Sequence, residues 1–137
     1  MNSLERLCVI DDDPVFTFLL KKMIEKEPVA SDCFFFENGQ DAIDYLTEYK
    51  DQETRLPELI LLDINMPILD GWQFIDEFAK LKSQLSRNIT IFMISSSTDT
   101  DDYNRAMATG YVDDYIRKPI YAAELQKIVQ RVLSKKW

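Results

Sequence analysis

The sequence lacks histidine altogether and is poor in cysteine. Without histidine, any mechanism that needs an imidazole base, nucleophile or metal ligand within the chain is excluded. The two cysteines, Cys8 and Cys33, each lie in an apolar run, which predicts buried free thiols in a reducing compartment. The N-terminus has no signal-peptide pattern, and no apolar run approaches the roughly 20 residues of a membrane span. We therefore expect a cytoplasmic protein that does not insert into membranes.

Basic residues are also scarce. The chain has 16 Lys and Arg against 24 Asp and Glu, a formal net charge of −8, so its field repels phosphate backbones and anionic membrane surfaces. Direct binding to nucleic acid is therefore not expected. The 137 residues are 46% hydrophobic, which is enough for one folded core, and no Gly/Ser linker divides them. We expect a single domain over 1–137.

Short apolar runs alternate with amphipathic segments along the whole chain. Apolar spacing of a helix recurs between Val15 and Ile24, around Ala42 to Leu46, from Trp72 to Ala79 and from Leu125 to Leu133, and more weakly over the polar stretch 98–108. The runs between them are too short for helices and predict five strands: Leu7–Ile10, Cys33–Phe36, Leu59–Leu62, Ile89–Ile94 and Val112–Ile116.

The strand candidates are continuously apolar instead of alternating with polar residues. This pattern is typical of parallel strands whose two faces are both covered by helices. It predicts a doubly wound α/β fold, in which ligands bind beyond the carboxyl ends of the strands. The residues directly after each strand are therefore the candidates for function.

Charged and hydroxyl side chains stand at those strand ends. Asp11 and Asp12 follow the first strand, Asp63 the third, Ser95 the fourth, and Lys118 lies just past the fifth. Carboxylates that converge without a counter-charge repel one another, and carboxylate oxygens without His or Cys suit Mg²⁺. A cation, a lysine and a hydroxyl around one aspartate predict a site that receives a phosphoryl group, with Asp63 as the nucleophile.

Together these residues resemble the receiver domain of two-component response regulators, above all the stand-alone kind typified by the chemotaxis regulator. The resemblance covers nearly the whole chain and implies a flavodoxin-like topology, a five-stranded parallel sheet of order 2-1-3-4-5 with five helices. The motifs on which the resemblance rests are Val9-Ile10-Asp11-Asp12-Asp13-Pro14, Leu61-Leu62-Asp63-Ile64-Asn65-Met66-Pro67 with Asp70-Gly71, Ile94-Ser95-Ser96 and Tyr115-Ile116-Arg117-Lys118-Pro119.

The resemblance implies roles for the residues of the acidic centre. Asp63 is expected to be the phosphoacceptor, Asp11 and Asp12 the acidic pair that holds Mg²⁺ together with Asp63, and Asn65 the donor of a backbone carbonyl to the metal. The only cofactor expected is this Mg²⁺ ion.

The resemblance also implies a switch. Ser95 corresponds to the hydroxyl that bonds the phosphoryl group, Lys118 to the ammonium that pairs with it, and Tyr115 to the aromatic side chain that follows the change. The bond between Lys118 and Pro119 resembles one that is cis in this family.

The resemblance implies a phosphorylation-dependent signalling switch. A sensor histidine kinase or phosphotransfer protein would supply the phosphoryl group, because the chain has no histidine. The surface of the fourth helix, fifth strand and fifth helix would then bind a downstream protein effector, or the phosphoryl group would be relayed onward. Few residues follow the fifth helix, so no output domain is expected, and the only catalysis expected is the chain's own phosphorylation and dephosphorylation.

Three other functions are alternatives to this one. A haloacid-dehalogenase-like phosphatase needs a second aspartate two residues after the nucleophile, where this chain has Asn65, which cannot transfer a proton. A flavin-binding module would have its cofactor phosphate repelled by Asp11, Asp12 and Asp13. A scaffold that keeps the fold without phosphorylation remains an alternative.

Several polar residues near the site receive ordinary structural interpretations. Asp13 before Pro14 predicts a helix start, and Asn38-Gly39 and Asp70-Gly71 predict turns before helices. Asp113 and Asp114 are left without a role. The polar segment 49–57 predicts a surface loop. Ser97 and Asn65, which flank the site, are candidates for tuning the lifetime of the phosphoryl group.

Overall fold

The computed structural model describes residues 3–96 and 100–135, and within them strands and helices alternate as the sequence predicts. The strands are β1 (Leu4–Ile10), β2 (Ala30–Phe36), β3 (Leu59–Asp63), β4 (Thr90–Ser95) and β5 (Asp114–Arg117). The helices are α1 (Pro14–Lys26), α2 (Gly39–Glu48), α3 (Gly71–Leu81), α4 (Thr100–Ala108) and α5 (Ala122–Ser134). Ser97 and the start of the predicted fourth helix, Thr98 and Asp99, lie outside the described residues.

The strands form one parallel sheet in the order β2-β1-β3-β4-β5, which confirms the predicted topology. β3 lies at the centre of the strand order and pairs with β1, with Ile10 opposite Leu62, so the carboxyl ends of these two strands meet at one edge. On the other side of β3, Asp63 lies opposite Ile94 of β4. The side chains that follow β1, β3 and β4 are therefore brought to the same edge of the sheet.

Each face of the sheet has its own apolar core. Alternate residues of β1 point to opposite faces, so Cys8 and Ile10 join one core while Leu7 and Val9 join the other. The first core packs against α2, α3 and α4, and the second against α1 and α5. This two-sided burial explains why the strands are continuously apolar.

Side-chain caps fix the helix starts that lie nearest the carboxyl edge. The Asp13 carboxylate accepts hydrogen bonds from Val15 N and Phe16 N at 3.0 and 3.2 Å, confirming the predicted helix start. Asn38 Oδ1 caps α2 through Asp41 N at 2.8 Å. Asp70 and Gln73 form a reciprocal capping box at the start of α3.

Two of the segments that connect the elements differ in detail from expectation. The predicted surface loop 49–57 contains a short 3₁₀ turn, Glu53–Arg55, and is anchored by Leu56, which is fully buried. The fifth strand begins at Asp114 and not at Val112, which is buried in the segment that connects α4 to β5. Within residues 3–96 and 100–135, none of the helices has the length and apolar character needed to cross a bilayer.

Candidate functional site

Three carboxylates converge at the carboxyl edge of the sheet. Asp11 directly follows β1 and Asp63 is the last residue of β3, and both are buried, whereas Asp12 is exposed. One carboxylate oxygen of each lies within 4.8 Å of the others. The Asp11 carboxylate is held in place by Asp13 N–H, which donates to its Oδ1 at 2.9 Å. The predicted acidic group is therefore assembled from neighbouring strands.

Lys118 supplies the positive charge beside these carboxylates. Its Nζ lies 2.9 Å from Asp11 Oδ2, 3.6 Å from Asp63 Oδ1 and 3.9 Å from Asp13 Oδ2. Its backbone N–H donates to the carbonyl of Ser95 at 2.8 Å, which ties the end of β5 to the end of β4. The Lys118–Pro119 peptide bond is cis, as the resemblance implies.

Burial and the neighbouring charges favour either a protonated Asp63 carboxyl or a carboxylate whose negative charge is balanced by a nearby cation. Burial has the largest effect on the pKa of Asp63 and raises it, and the charge of Asp11 raises it further. Lys118 opposes this change, but the pKa still reaches about 7. Burial also raises the pKa of Asp11. For Lys118, burial disfavours the ammonium, but the hydrogen bond to Asp11 and the charges of Asp11, Asp63 and Asp13 outweigh it and raise its pKa. The site therefore holds more negative charge than one lysine compensates.

The other residues expected at the site lie around this cluster. Ser95 is buried at the end of β4, one residue beyond the partner of Asp63. Asn65 is exposed in the loop that connects β3 to α3. Tyr115 lies on β5, and its ring meets that of Tyr103 of α4 edge-on, with centroids 6.0 Å apart.

The Tyr115 hydroxyl is buried and, across residues 3–96 and 100–135, has no hydrogen-bond partner. The tyrosine therefore bridges β5 and α4 and does not contact the carboxylates through any described hydrogen bond.

Sequence reasoning missed two contributors to the setting of Lys118. Its ammonium lies over the ring of Phe16, 4.6 Å from the ring centroid, and it also faces Asp13, which was assigned only a capping role. Phe16 is one apolar residue of a helical stripe, so no signal in the sequence distinguishes it from the rest of the core.

Asp113 and Asp114, left without a role, pair with Lys135 and Arg131 and join the last strand to α5.

The cluster fits a hard divalent cation. Three carboxylate oxygens within 4.8 Å of one another, two of them on buried side chains, form the oxygen-rich donor set that Mg²⁺ prefers. Burial and the charge of Asp11 raise the pKa of Asp63, and a bound cation would act in the opposite direction by favouring the ionised carboxylate. The Asp63 carboxylate therefore lies beside a candidate cation site and the Lys118 ammonium.

Comparisons with known proteins agree with this geometry. The family model of the response regulator receiver domain matches residues 7–130. The chain belongs to the response regulator receiver domain family. A two-component response regulator from Cytophaga hutchinsonii, known from its crystal structure, is 30% identical, with 96% of this chain and 98% of that chain covered and a TM-score of 0.82.

Two further receiver proteins show the range of the family. The two-component response regulator ARR11 of Arabidopsis thaliana is 30% identical over 96% of this chain, but the chain spans only 23% of that protein. The phosphorylated cyanobacterial phytochrome response regulator RcpA is 27% identical, with 93% of this chain and 90% of that chain covered and a TM-score of 0.69. Receiver domains interact with histidine kinases or phosphotransfer proteins and generally bind Mg²⁺ at an acidic pocket, so family membership implies phosphorylation-dependent signalling.

Proposed function

We propose that this receiver domain accepts a phosphoryl group on Asp63 from a phosphohistidine of a sensor kinase or phosphotransfer protein. The arrangement of charged groups around Asp63 is the main support for this proposal. Its buried carboxylate stands at a strand end with two further carboxylates within 4.8 Å and with Lys118 Nζ 3.6 Å from its Oδ1. A phosphoaccepting aspartate needs this combination of a cation site and a fixed ammonium.

The transfer is an in-line displacement at phosphorus. An oxygen of the Asp63 carboxylate attacks, the bond from phosphorus to the donor's imidazole nitrogen breaks, and the imidazole leaves. Asp11, Asp12 and Asp63, with the backbone carbonyl of Asn65, would hold Mg²⁺, which when bound neutralises charge on the phosphoryl oxygens. Lys118 is placed to pair with a phosphoryl oxygen once Asp63 is esterified, because its Nζ already lies beside both buried carboxylates.

The response to phosphorylation passes from Ser95 and Lys118 to the last elements of the sheet. The Lys118 backbone N–H donates to the backbone carbonyl of Ser95 at 2.8 Å, so a movement of the Ser95 backbone that brings its hydroxyl toward the phosphoryl group would move both strand ends. Tyr115, packed on Tyr103, then follows α4. The surface of α4, β5 and α5 is the face that would bind a downstream protein effector, by a population shift between two packed states.

Two further considerations support this function. A relative that is 27% identical is described as phosphorylated, and the present site has the carboxylates and lysine to undergo the same modification. Asn65 lies where a phosphatase would need a second carboxylate, so the proposed chemistry stops at the chain's own phosphorylation and dephosphorylation.

Intact-mass measurement after incubation with Mg²⁺ and a small-molecule phosphodonor tests the proposal. Wild type should gain one phosphoryl group only when Mg²⁺ is present, and Asp63→Asn should gain none. Asp51→Asn, which changes an exposed aspartate in the loop before β3, is the matched control and should behave as wild type. An unmodified wild type would favour the phosphorylation-independent scaffold, and an adduct on Asp63→Asn would mean that another residue is the nucleophile.

A further inference from the structure

The loop from β3 to α3, residues 64–70, is held by backbone contacts at both ends. It carries Asn65 and leads from Asp63 to the helix cap Asp70. At its base, Gly71 N–H donates to the carbonyl of Ile64 at 2.8 Å. Near its far end, Leu69 N–H donates to the carbonyl of Pro67 at 2.7 Å, across a tight turn at Ile68.

Ile68 shows that this loop is held in a conformation that the chain does not favour. Its φ is +71°, in the left-handed region that costs a side chain about 1–2 kcal/mol, and β-branched residues are especially rare there. The Ile68 side chain is 76% exposed, so its own packing does not offset that cost. Other contacts must therefore keep the loop in place.

The first residue of α2 supplies one such contact. Gly39 N–H donates to the carbonyl of Leu69 at 3.0 Å, across the gap between α2 and the loop. A Cβ on Gly39 would lie 2.6 Å from the Leu69 carbonyl oxygen and 3.2 Å from the Leu69 side chain. Any side chain at this position would therefore push the loop and α2 apart by several tenths of an ångström.

We propose that Gly39 is a positioning residue for the cation site: by letting the α2 N-terminus dock directly on Leu69, it fixes the loop that carries Asn65. This inference rests on the proposed function, in which the Asn65 carbonyl is a ligand. α2 is itself fixed at this point, because Asn38 caps it and the buried Ala42 and Ile43 of its first turns pack into the core. The helix is thus a rigid support for a strained loop.

The size of the effect follows from the cation. Mg²⁺ demands near-ideal octahedral geometry with ligands at about 2.0–2.1 Å, so a ligand displaced by several tenths of an ångström binds poorly. Loss of an outer contact that orients a ligand typically lowers metal affinity about 10–100-fold. We expect Gly39→Ala to weaken Mg²⁺ binding about tenfold.

Gly110 provides a matched control for the loss of a glycine. Its φ is +80°, so alanine there is strained, but a Cβ would meet no atom within 4 Å. It follows α4 and is not part of the loop 64–70. Gly110→Ala should therefore lower the melting temperature while leaving the Mg²⁺ dissociation constant unchanged.

The test is Mg²⁺ titration by calorimetry on wild type, Gly39→Ala and Gly110→Ala, with phosphorylation rates measured across a range of Mg²⁺ concentrations. Gly39→Ala should bind Mg²⁺ about tenfold more weakly. It should also reach the wild-type phosphorylation rate when Mg²⁺ is saturating. If Gly39→Ala does not fold, Asn38→Ala, which removes the α2 cap and the hydrogen bond from Asn38 Nδ2 to Asp41 Oδ2, should shift Mg²⁺ affinity in the same direction by a smaller factor.

The outcomes separate this inference from the proposed function. Wild-type affinity in Gly39→Ala, or an equal loss in Gly110→Ala, would overturn the positioning role while leaving Asp63 as the phosphoacceptor. A wild type that binds no Mg²⁺ would overturn the proposed cation site itself.

Discussion

Removing the negative charge of Asp63 should stabilise the protein when no divalent cation is bound. Asp63→Asn keeps the shape of the side chain but removes a charge that is buried beside Asp11. Asp63 has a pKa of about 7 in the folded chain, against an ordinary value near 3.9. That difference corresponds to at most about 4 kcal/mol, and solvent access with relaxation reduces it to roughly 1–3 kcal/mol.

The pH dependence has a definite sign. Because the folded-state pKa is raised, the unfolded chain ionises first, and the penalty for ionised Asp63 grows as pH rises from about 4 to about 7. Above about pH 7 it is complete. The gain from Asp63→Asn should therefore be greatest near pH 8, and at about pH 5 it should be less than half as large.

Urea unfolding in the presence of a chelator measures this effect. Wild type, Asp63→Asn and the exposed control Asp51→Asn are compared near pH 8 and near pH 5. Asp51→Asn should stay within about 0.5 kcal/mol of wild type. An Asp63→Asn variant that is less stable than wild type near pH 8 would refute the argument that the buried carboxylates are under-compensated.

Three further outcomes are expected. Ser95→Ala should still be phosphorylated but bind its effector more weakly, and effector binding as tight as that of phosphorylated wild type would contradict the switch role of Ser95. Burial raises the pKa of the Cys33 thiol to about 12. A thiol reagent at neutral pH should therefore label Cys33 far more slowly in the native protein than in the urea-unfolded chain. Equal labelling rates in the two states would contradict this expectation. Ile68→Gly should raise the free energy of unfolding by up to about 1 kcal/mol in thermal or urea melts, because it relieves a left-handed backbone; a clear loss of stability would show that the Ile68 side chain contributes packing.

Much of the fold follows from the sequence because burial leaves a strong pattern. β3 is fully buried on both faces, and its apolar run predicts the strand to within one residue. β1 begins earlier than predicted, at Leu4, because its polar residues are satisfied by distant partners. The Glu58 carboxylate accepts from the backbone of Glu5, and Arg6 pairs with Asp32 at 2.7 Å. Such pairing is invisible in a local apolar pattern.

Part of the candidate site can likewise be predicted from the sequence, and part of it cannot. The clustering of Asp11, Asp12 and Asp63 follows from strand order, since residues after neighbouring parallel strands must meet. The contact that supports the β3–α3 loop does not follow from strand order. Asn38-Gly39 predicts a turn, but that its backbone touches the carbonyl of Leu69 depends on how α2 packs against the neighbouring loop, which no local pattern records.

The central claim is that the phosphoryl group is carried by the carboxylate of Asp63. Reduction of the phosphorylated protein with borohydride converts an acyl phosphate into an alcohol, and mass spectrometry of the peptides then locates it. Position 63 alone should be reduced, and only in samples that received both Mg²⁺ and phosphodonor. Reduction at Asp11, Asp12 or any other carboxylate in place of Asp63 would contradict it.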